Sequence, residues 1–448
     1  MKSALSQLGR RTAPPPVSWL MSTSLARPRL ISLAAGFTDN PTLPVDEVRN
    51  LLSELLSGRS MGEPALQYGS TQGLPALIDL TAARIQCLEQ KAGNNSADKE
   101  RFAGRLVITH GSQQLLYLVT EVLCDPGDMV LLEDPTYFVY LGIVQSHGLR
   151  CRGIQLETDG IDLSSLDKTL GNLKKTGALP RLKLLYFVTY HQNPTGTTTA
   201  FDKKQAALDM LQHYEKWAGH PIYLFEDAAY RELGFEEETE PSALKAIEAA
   251  ERVIYAGTYS KPFATGVRVG YGLLPKPVRD AVIRVKGNHD FGTANLLQHL
   301  LARAISSGTY DAHLESVRRR YAEKADCMIS AIRTSFPDVV HWRKPTGGMY
   351  VWAALPKTVR TGLRSKFFAR ALDHDVLYVP GQICYAPDPQ RPRPNHEMRL
   401  SYGNATTDEI KEGIARLGRV ISECLAEKSP RRLRLRPKAC NGRPSSPW

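Results

Sequence analysis

Hydrophobic and polar positions alternate in two patterns from residue 105 onward. Short runs of β-branched and apolar residues at 106–110, 129–133, 150–156, 184–189, 222–227, 252–258 and 269–274 have the length and composition of strands. Between several of them, at 113–123, 137–146 and 203–217, apolar residues recur with the helical period. Strands that alternate with helices predict an α/β architecture, a mostly parallel sheet with helices on both faces. In open sheets of this kind ligands bind beyond the carboxyl ends of the strands. Residues that carry chemistry are therefore expected just after the strand runs.

Composition narrows this picture. A chain of 448 residues is too long for one ordinary core, and 42% hydrophobic with 23% charged residues is the make-up of a folded protein. Two globular parts are expected. The longest apolar runs, such as 184–188, fall far short of the roughly 20 residues a membrane helix needs, so no membrane partner is expected. The seven cysteines are odd in number, scattered and without a CxxC pair, which argues for a reducing compartment and against a disulfide frame or a zinc site. HEMRL at 396–400 lacks the second histidine of HExxH, and no metal is expected.

The net charge of +11 invites nucleic acid, but seven positive charges lie between Lys428 and Arg443 with no acidic residue among them, and without these the balance is +4. That terminus reads as a solvated basic tail, and no nucleic-acid partner is expected. No Asp or Glu precedes Asp39, which imitates a transit peptide, yet prolines 14–16 interrupt the amphipathic helix such a signal uses. A cytoplasmic location is expected.

The segment GTYSKPFATGVRVGY at 257–271 follows a strand run directly. An isolated lysine is usually a surface cation. Lys261 lies instead between two strand runs, with Thr258 and Ser260 before it and Gly266 and Arg268 after it. Two hydroxyls, an arginine and a glycine that permits close backbone approach would clamp a phosphate beside the amine. An amine desolvated near other cations has a lowered pKa, which favours imine formation.

This segment resembles the lysine motif of the fold-type I pyridoxal 5′-phosphate enzymes, in particular the class I and II aminotransferases of the 2-aminoadipate and aromatic kind. The resemblance implies that Lys261 carries the cofactor as a Schiff base and that Arg268 pairs with its phosphate. YHQNPTG at 190–196, by itself an ordinary turn, then supplies Asn193 as a donor to the phenolic oxygen of the cofactor and as a substrate neighbour. His191 stands where relatives often have an aromatic residue and is given no catalytic role. FEDAAYRELGF at 225–235 ends a strand run on Asp227, a buried charge that needs a partner. The pyridine nitrogen is that partner, and Tyr230 is the second donor to the phenolic oxygen. Asn193, Asp227 and Lys261 are spaced by 34 residues each, one strand-loop-helix unit.

Further motifs agree with the resemblance. THGSQQLLYLV at 109–119 reads as a strand, a glycine turn and a helix start, so the amides of Ser112 and Gln113 suit a phosphate, although Ser as an N-cap also explains the pattern. Tyr137 matches the aromatic residue that stacks on the cofactor ring, with a core tyrosine as the alternative. LQYGSTQGLPALIDL at 66–80 contains Tyr68, which reaches the phosphate of a neighbouring subunit in the family and so implies a homodimer with shared sites. Gly36, in the arm segment 31–44, would lie against the substrate carboxylate, and Arg399 in EMRLSYG would clamp the α-carboxylate.

The resemblance covers roughly residues 30–425. It implies a large domain at 45–300 built on a seven-stranded sheet, a smaller α+β domain at 301–427, an arm at 1–44 and the basic tail at 428–448. The expected activity is transfer of an amino group from an L-amino acid to a 2-oxo acid by a ping-pong mechanism, with Lys261, Asp227 and Tyr230 catalytic. A carbon–sulfur lyase, decarboxylase or oxidase on the same scaffold would share nearly all these residues. A regulatory sensor would need a winged-helix domain before the arm, where about 30 residues stand. Arg27 and Arg29 could meet a distal carboxylate of the donor or be surface cations, and an aromatic or aliphatic donor is equally tenable.

Overall fold

A computed structural model describes residues 4–237, 239–246 and 248–428. The expected basic tail lies, apart from Lys428, outside the described residues. Its main sheet is built from β1 (Leu106–Thr109), β2 (Met129–Asp134), β3 (Arg150–Glu157), β4 (Gly160–Ile161), β5 (Leu182–Val188), β6 (Tyr223–Asp227), β7 (Val253–Thr258) and β8 (Gly270–Leu273). The order across the sheet is β1-β8-β7-β6-β5-β2-β3-β4. The neighbours β7-β6-β5-β2-β3 run parallel, whereas β8 is antiparallel to both β7 and β1. The expected seven strands are present, and the two residues of β4 fold back on β3 as an eighth.

Helices cover both faces, which is why the strands are apolar runs and not alternating ones. Successive residues of β2 and β5 point to opposite sides. Met129, Leu131, Leu185 and Phe187 pack with Leu166 and Leu170 of helix Leu163–Lys175 and Leu208 and Leu211 of helix Phe201–Ala218. Val130, Leu132, Leu184 and Tyr186 join a larger core that includes Leu115 and Val119 of helix Gly111–Leu123. That core continues into the C-terminal elements, among them helix Thr309–Ser335, helix Thr407–Lys428 and a four-stranded antiparallel sheet. The strands of this second sheet are β9 (His341–Trp342), β10 (Tyr350–Ala354), β11 (Val379–Pro380) and β12 (Glu397–Ser401). Their order is β9-β10-β12-β11.

His191 marks where the two sheets meet. Its ring is buried, and a Cβ added to Gly347 would lie 2.5 Å from it, so the glycine pair 347–348 is what lets β10 approach. Burial and the charge of Arg318 hold this imidazole down at about 4, so it is neutral.

Prolines 14–16 fall at a break between two short helices of the N-terminal arm, Gln7–Arg11 and Pro16–Leu25, as their composition predicts. Pro16 itself occupies the first turn of helix Pro16–Leu25, where its missing N–H costs nothing. The chain then pairs Ile31–Ser32 in parallel with Val376–Leu377. Leu33 accepts from the amide of Ser401 at 2.7 Å. Beyond this point a buried ion pair anchors the arm: Lys324 Nζ donates to Asp39 Oδ1 at 2.5 Å and to the carbonyl of Gly403 at 3.0 Å, while Arg320 Nε donates to Asp39 Oδ2 at 3.1 Å.

Both side chains of the Asp39–Lys324 pair are almost wholly buried. Removing one member of such a pair leaves a charge without its counterion. Lys324→Met is therefore expected to destabilise the protein by about 3 kcal/mol, the low end for such pairs because Arg320 still faces Asp39. Urea unfolding of the variant beside the parent checks this.

Candidate functional site

The carboxyl ends of the parallel strands come together at one level. Val188 of β5 is in register with Asp227 of β6, and Asp227 with Ala256 of β7. The chain segments that leave these three ends carry Asn193, Tyr230 and Lys261. They line a cavity of about 390 Å³ together with Gly36, Ser112, Gln113, Tyr137, Thr258, Ser260, Arg268, Tyr350 and Arg399. Twelve of the thirteen residues to which the resemblance gives a cofactor, substrate or catalytic role are thus gathered in one place. Tyr68 is the exception: it is 83% exposed and meets Phe291 edge to face at 5.3 Å.

At the centre Lys261 Nζ, half-buried, donates to the carbonyl of Gly36 at 2.6 Å. Burial and the charges of Arg399 and Arg268 bring its amine down to about 8. A sizeable neutral fraction therefore exists near neutrality, and only the neutral amine has the lone pair a nucleophile needs.

Asp227 lies on the cavity wall, almost fully buried. Tyr186 donates to its Oδ2 at 2.9 Å and the Ala229 amide to its Oδ1 at 3.1 Å. Burial raises this carboxyl to about 6 in spite of the two hydrogen bonds. No cation pairs with it among the described residues. Tyr186 is held in turn by stacking on Tyr140 at 4.0 Å.

Beyond this centre Tyr230 receives a hydrogen bond from Asn193 Nδ2 at 3.4 Å and shares one with Tyr350 at 3.2 Å. Burial, followed by the neighbouring phenols, pushes the Tyr230 hydroxyl up, which keeps it a neutral donor. Arg399 projects from β12 and is buried. Its Nη1 donates to Asn193 Oδ1 at 2.8 Å and its Nη2 to the carbonyl of Ala34 at 2.7 Å, while the ring of Tyr350 lies 4.3 Å from the guanidinium carbon. Its Nε has no partner among the described residues.

The opposite end of the cavity is built for an anion. Helix Gly111–Leu123 starts with no side-chain cap; Ser112 lies inside its first turn, so the N-cap reading of this serine does not hold. The first-turn amides at 112 and 113 carry the positive end of the helix. Arg268, in the left-handed region with φ +49°, donates to Ser260 Oγ at 3.3 Å, and the Ser260 amide donates to Thr258 Oγ1 at 3.1 Å. The close approach is made by Gly270, not by Gly266. A Cβ on Gly270 would lie 2.4 Å from the Ser112 nitrogen, whereas one on Gly266 would meet nothing within 4 Å.

Several lining residues carry no signal in the sequence, four of them on elements that position the site. Tyr350 reads only as part of a strand, and Leu20, Ser24 and Leu25 belong to a helix that the preceding prolines disguise. Arg27 and Arg29 do not line the cavity; Arg27 donates to the carbonyl of Leu372 at 3.2 Å. Three features thus define what fits: an anion at the helix start, a cationic nitrogen facing Asp227, and a carboxylate at Arg399, beside an amine ready to add to a carbonyl. Among the described residues no group of three or more His, Cys, Asp or Glu side chains could hold a metal ion.

The lysine can be tested by itself. In competitive labelling with an amine-reactive reagent, Lys261 is expected to titrate with an inflection near pH 8, well below an ordinary lysine. Arg399→Gln removes one of the cations that favour the neutral amine, so the inflection should move upward. Peptide mass spectrometry reads both.

Comparison with known proteins agrees with this geometry. The model of the family "Aminotransferase class I and II" matches residues 28–417. The 2-aminoadipate transaminase of Thermus thermophilus is 32% identical over 403 residues, 89% of this chain and 92% of that protein. Aromatic-amino-acid aminotransferase 1 of Thermococcus litoralis is 31% identical, over 88% of each chain. Among solved structures, the α-aminoadipate aminotransferase of Thermus thermophilus, complexed with N-(5′-phosphopyridoxyl)-L-leucine, is 31% identical, with a TM-score of 0.79 covering 95% of this chain and 98% of that one. The likeness runs from the arm into the last helix, and this chain belongs to the class I and II aminotransferases, as a pyridoxal 5′-phosphate-dependent transaminase that acts on amino and 2-oxo acids.

Proposed function

We propose that Lys261 is the residue that holds pyridoxal 5′-phosphate covalently and serves as the catalytic base, in an enzyme that carries an amino group from an L-amino acid to a 2-oxo acid. One observation carries this reading: the buried Asp227 carboxylate, without a cation partner among the described residues, lines the same cavity as an amine brought down to about 8. A pyridine nitrogen fits the first and an aldehyde the second. When bound, the cofactor supplies that aldehyde and a ring that accepts the electrons of the Cα–H bond.

The chain's own residues do the rest. Asp227 keeps the ring nitrogen protonated, fixed in place by Tyr186 and the Ala229 amide. Asn193 and Tyr230 would donate an N–H and an O–H to the phenolic oxygen, and Tyr137, which lines the same cavity, would pack on the ring. The Ser112 and Gln113 amides, Thr258, Ser260 and Arg268 take the phosphate. Arg399 orients the donor through its α-carboxylate beside Gly36 and Asn193. Lys261 Nζ, as a neutral amine, would take the proton from the donor's Cα. Its hydrogen bond to the Gly36 carbonyl holds the nitrogen on the substrate side of the cavity.

The site is read as complete only in a homodimer. Tyr68, Phe291, Leu66, Val45 and Met61 are large apolar or aromatic side chains left exposed, and Tyr68 is carried on the segment that the family uses to reach its neighbour's phosphate. We divide the chain into an arm at 1–44, a large domain at 45–300 and a small one at 301–427; the main sheet lies wholly within the second part and the four-stranded sheet within the third. A cytoplasmic location is supported by the six described cysteines, all free, and among the described residues no helix is long and apolar enough to cross a membrane.

Two measurements test this reading. Lys261→Ala is expected to lose both the visible absorbance of lysine-bound cofactor and all turnover; retention of either contradicts the assignment. Sedimentation should give the mass of two chains, and Tyr68→Phe should weaken cofactor binding about tenfold, the worth of one hydrogen bond to a charged group, without changing that mass.

A further inference from the structure

The walls of the cavity differ in chemistry along their length. Among the described residues its lining cations are Lys261, Arg268 and Arg399, which the proposed function assigns to the cofactor aldehyde, to the anion end and to the α-carboxylate. The remaining wall, contributed by the arm and by helix Phe138–Ser146, presents Leu20, Ser24, Leu25, Ala35, Phe37 and Val139, with Leu25 and Phe37 still exposed to solvent at 81% and 44%, apolar surface that a bound side chain would cover. Helix Pro16–Leu25 has no charged residue along its length, and Arg27, the first cation after it, is turned away to the Leu372 carbonyl. Trp19 packs on Phe368 at 5.8 Å, and Leu20 is buried, which seats this helix against the molecule.

We infer that the amino donor carries a large uncharged side chain, aromatic or branched aliphatic, seated against Leu20, Ser24, Leu25 and Phe37. The inference rests on the transaminase reading of the same site. It separates the two activities named for the relatives: a distal carboxylate, as in 2-aminoadipate, would enter this wall with no cation to meet it, and an ionised group desolvated without a partner is strongly disfavoured. An aromatic or isobutyl group meets the same wall at no such cost and removes its own apolar surface from water. The Ser24 hydroxyl is the single polar side chain among these six and is small enough to leave space for a ring.

The test uses the full-length enzyme loaded with pyridoxal 5′-phosphate. Each donor is mixed with it singly, and the change in cofactor absorbance is followed. Phenylalanine, tyrosine and leucine are expected to react with kcat/KM at least about tenfold above 2-aminoadipate and aspartate, the discrimination a hydrophobic pocket commonly achieves. Ser24→Arg, which places a cation on this wall, should narrow or invert that ratio chiefly through a lower KM for 2-aminoadipate. A parent enzyme that prefers 2-aminoadipate or aspartate overturns the inference and leaves the transaminase reading intact. If lysine-bound cofactor forms but no donor changes its absorbance, the transaminase reading fails and this inference fails with it.

Discussion

A carboxylate buried at the end of the central strands, with no cation among the described residues to face it, is the constraint to which the surrounding structure responds. Ionised groups are rarely buried unpaired, because the attraction lost with water must be replaced. Asp227 receives only two hydrogen bonds, from Tyr186 and from the Ala229 amide, and burial still lifts it to about 6. The deficit is local, since the next residue has none. Glu226 points to the other face of β6, where Lys204 lies 3.3 Å away and both side chains are fully buried, with Thr189 and the Ala243 amide completing the set. The pleat thus sends one carboxylate into a finished ion pair and its neighbour toward the cavity with a place left for a cation.

The second carboxyl near Asp227 behaves differently. Glu133, at the end of β2, is fully buried, and its Oε1 accepts from the Val188 amide at 2.8 Å and from Gln192 Nε2 at 2.9 Å. Burial raises it to about 8 against those two hydrogen bonds, so at neutral pH it is mostly a protonated acid. A neutral Glu133 adds no repulsion to Asp227, and its hydrogen bond to Gln192 fixes the segment that presents Asn193. Gln192 in turn receives the amide and hydroxyl of Thr195 on one oxygen. The 190–196 turn is therefore a turn, as its composition says, and also a rigid bracket.

How far this was legible follows from which residues announce themselves. The strands were legible because burial on both faces makes them continuous apolar runs, and the strand ends were legible because polar residues interrupt those runs abruptly at Asn193, Asp227 and Lys261. Tyr186 was not, since a tyrosine inside such a run has the same pattern as a packed core residue; its hydroxyl acquires meaning only through the register of β5 with β6. Tyr350 reaches the site from a separate sheet, a long-range juxtaposition without local periodicity. The helix over Pro16–Leu25 was masked by the prolines before it, which break a helix in its interior but begin one at its first turn. Gly266 misled for the opposite reason: its place next to Arg268 suggests close packing, whereas the close contact belongs to Gly270, across the antiparallel pairing of Thr258.

The arm shows why the chemistry and the choice of substrate are separable here. Its backbone touches both cations that we propose handle substrate: the Gly36 carbonyl accepts from the Lys261 amine and the Ala34 carbonyl accepts from Arg399. Any amino acid at this position in the chain could supply those carbonyls, so the arm's role in holding the two cations depends on where its backbone runs. That path is set by the Asp39–Lys324 pair and by the pairing of Ile31–Ser32 with Val376–Leu377. The side chains that the arm brings to the cavity, Leu20, Ser24, Leu25 and Phe37, of which Leu25 and Phe37 remain exposed, are committed to none of these bonds. They can vary in size and polarity while the amine, the guanidinium and the carbonyls between them stay in place, which permits one reaction to serve different donors on a single scaffold.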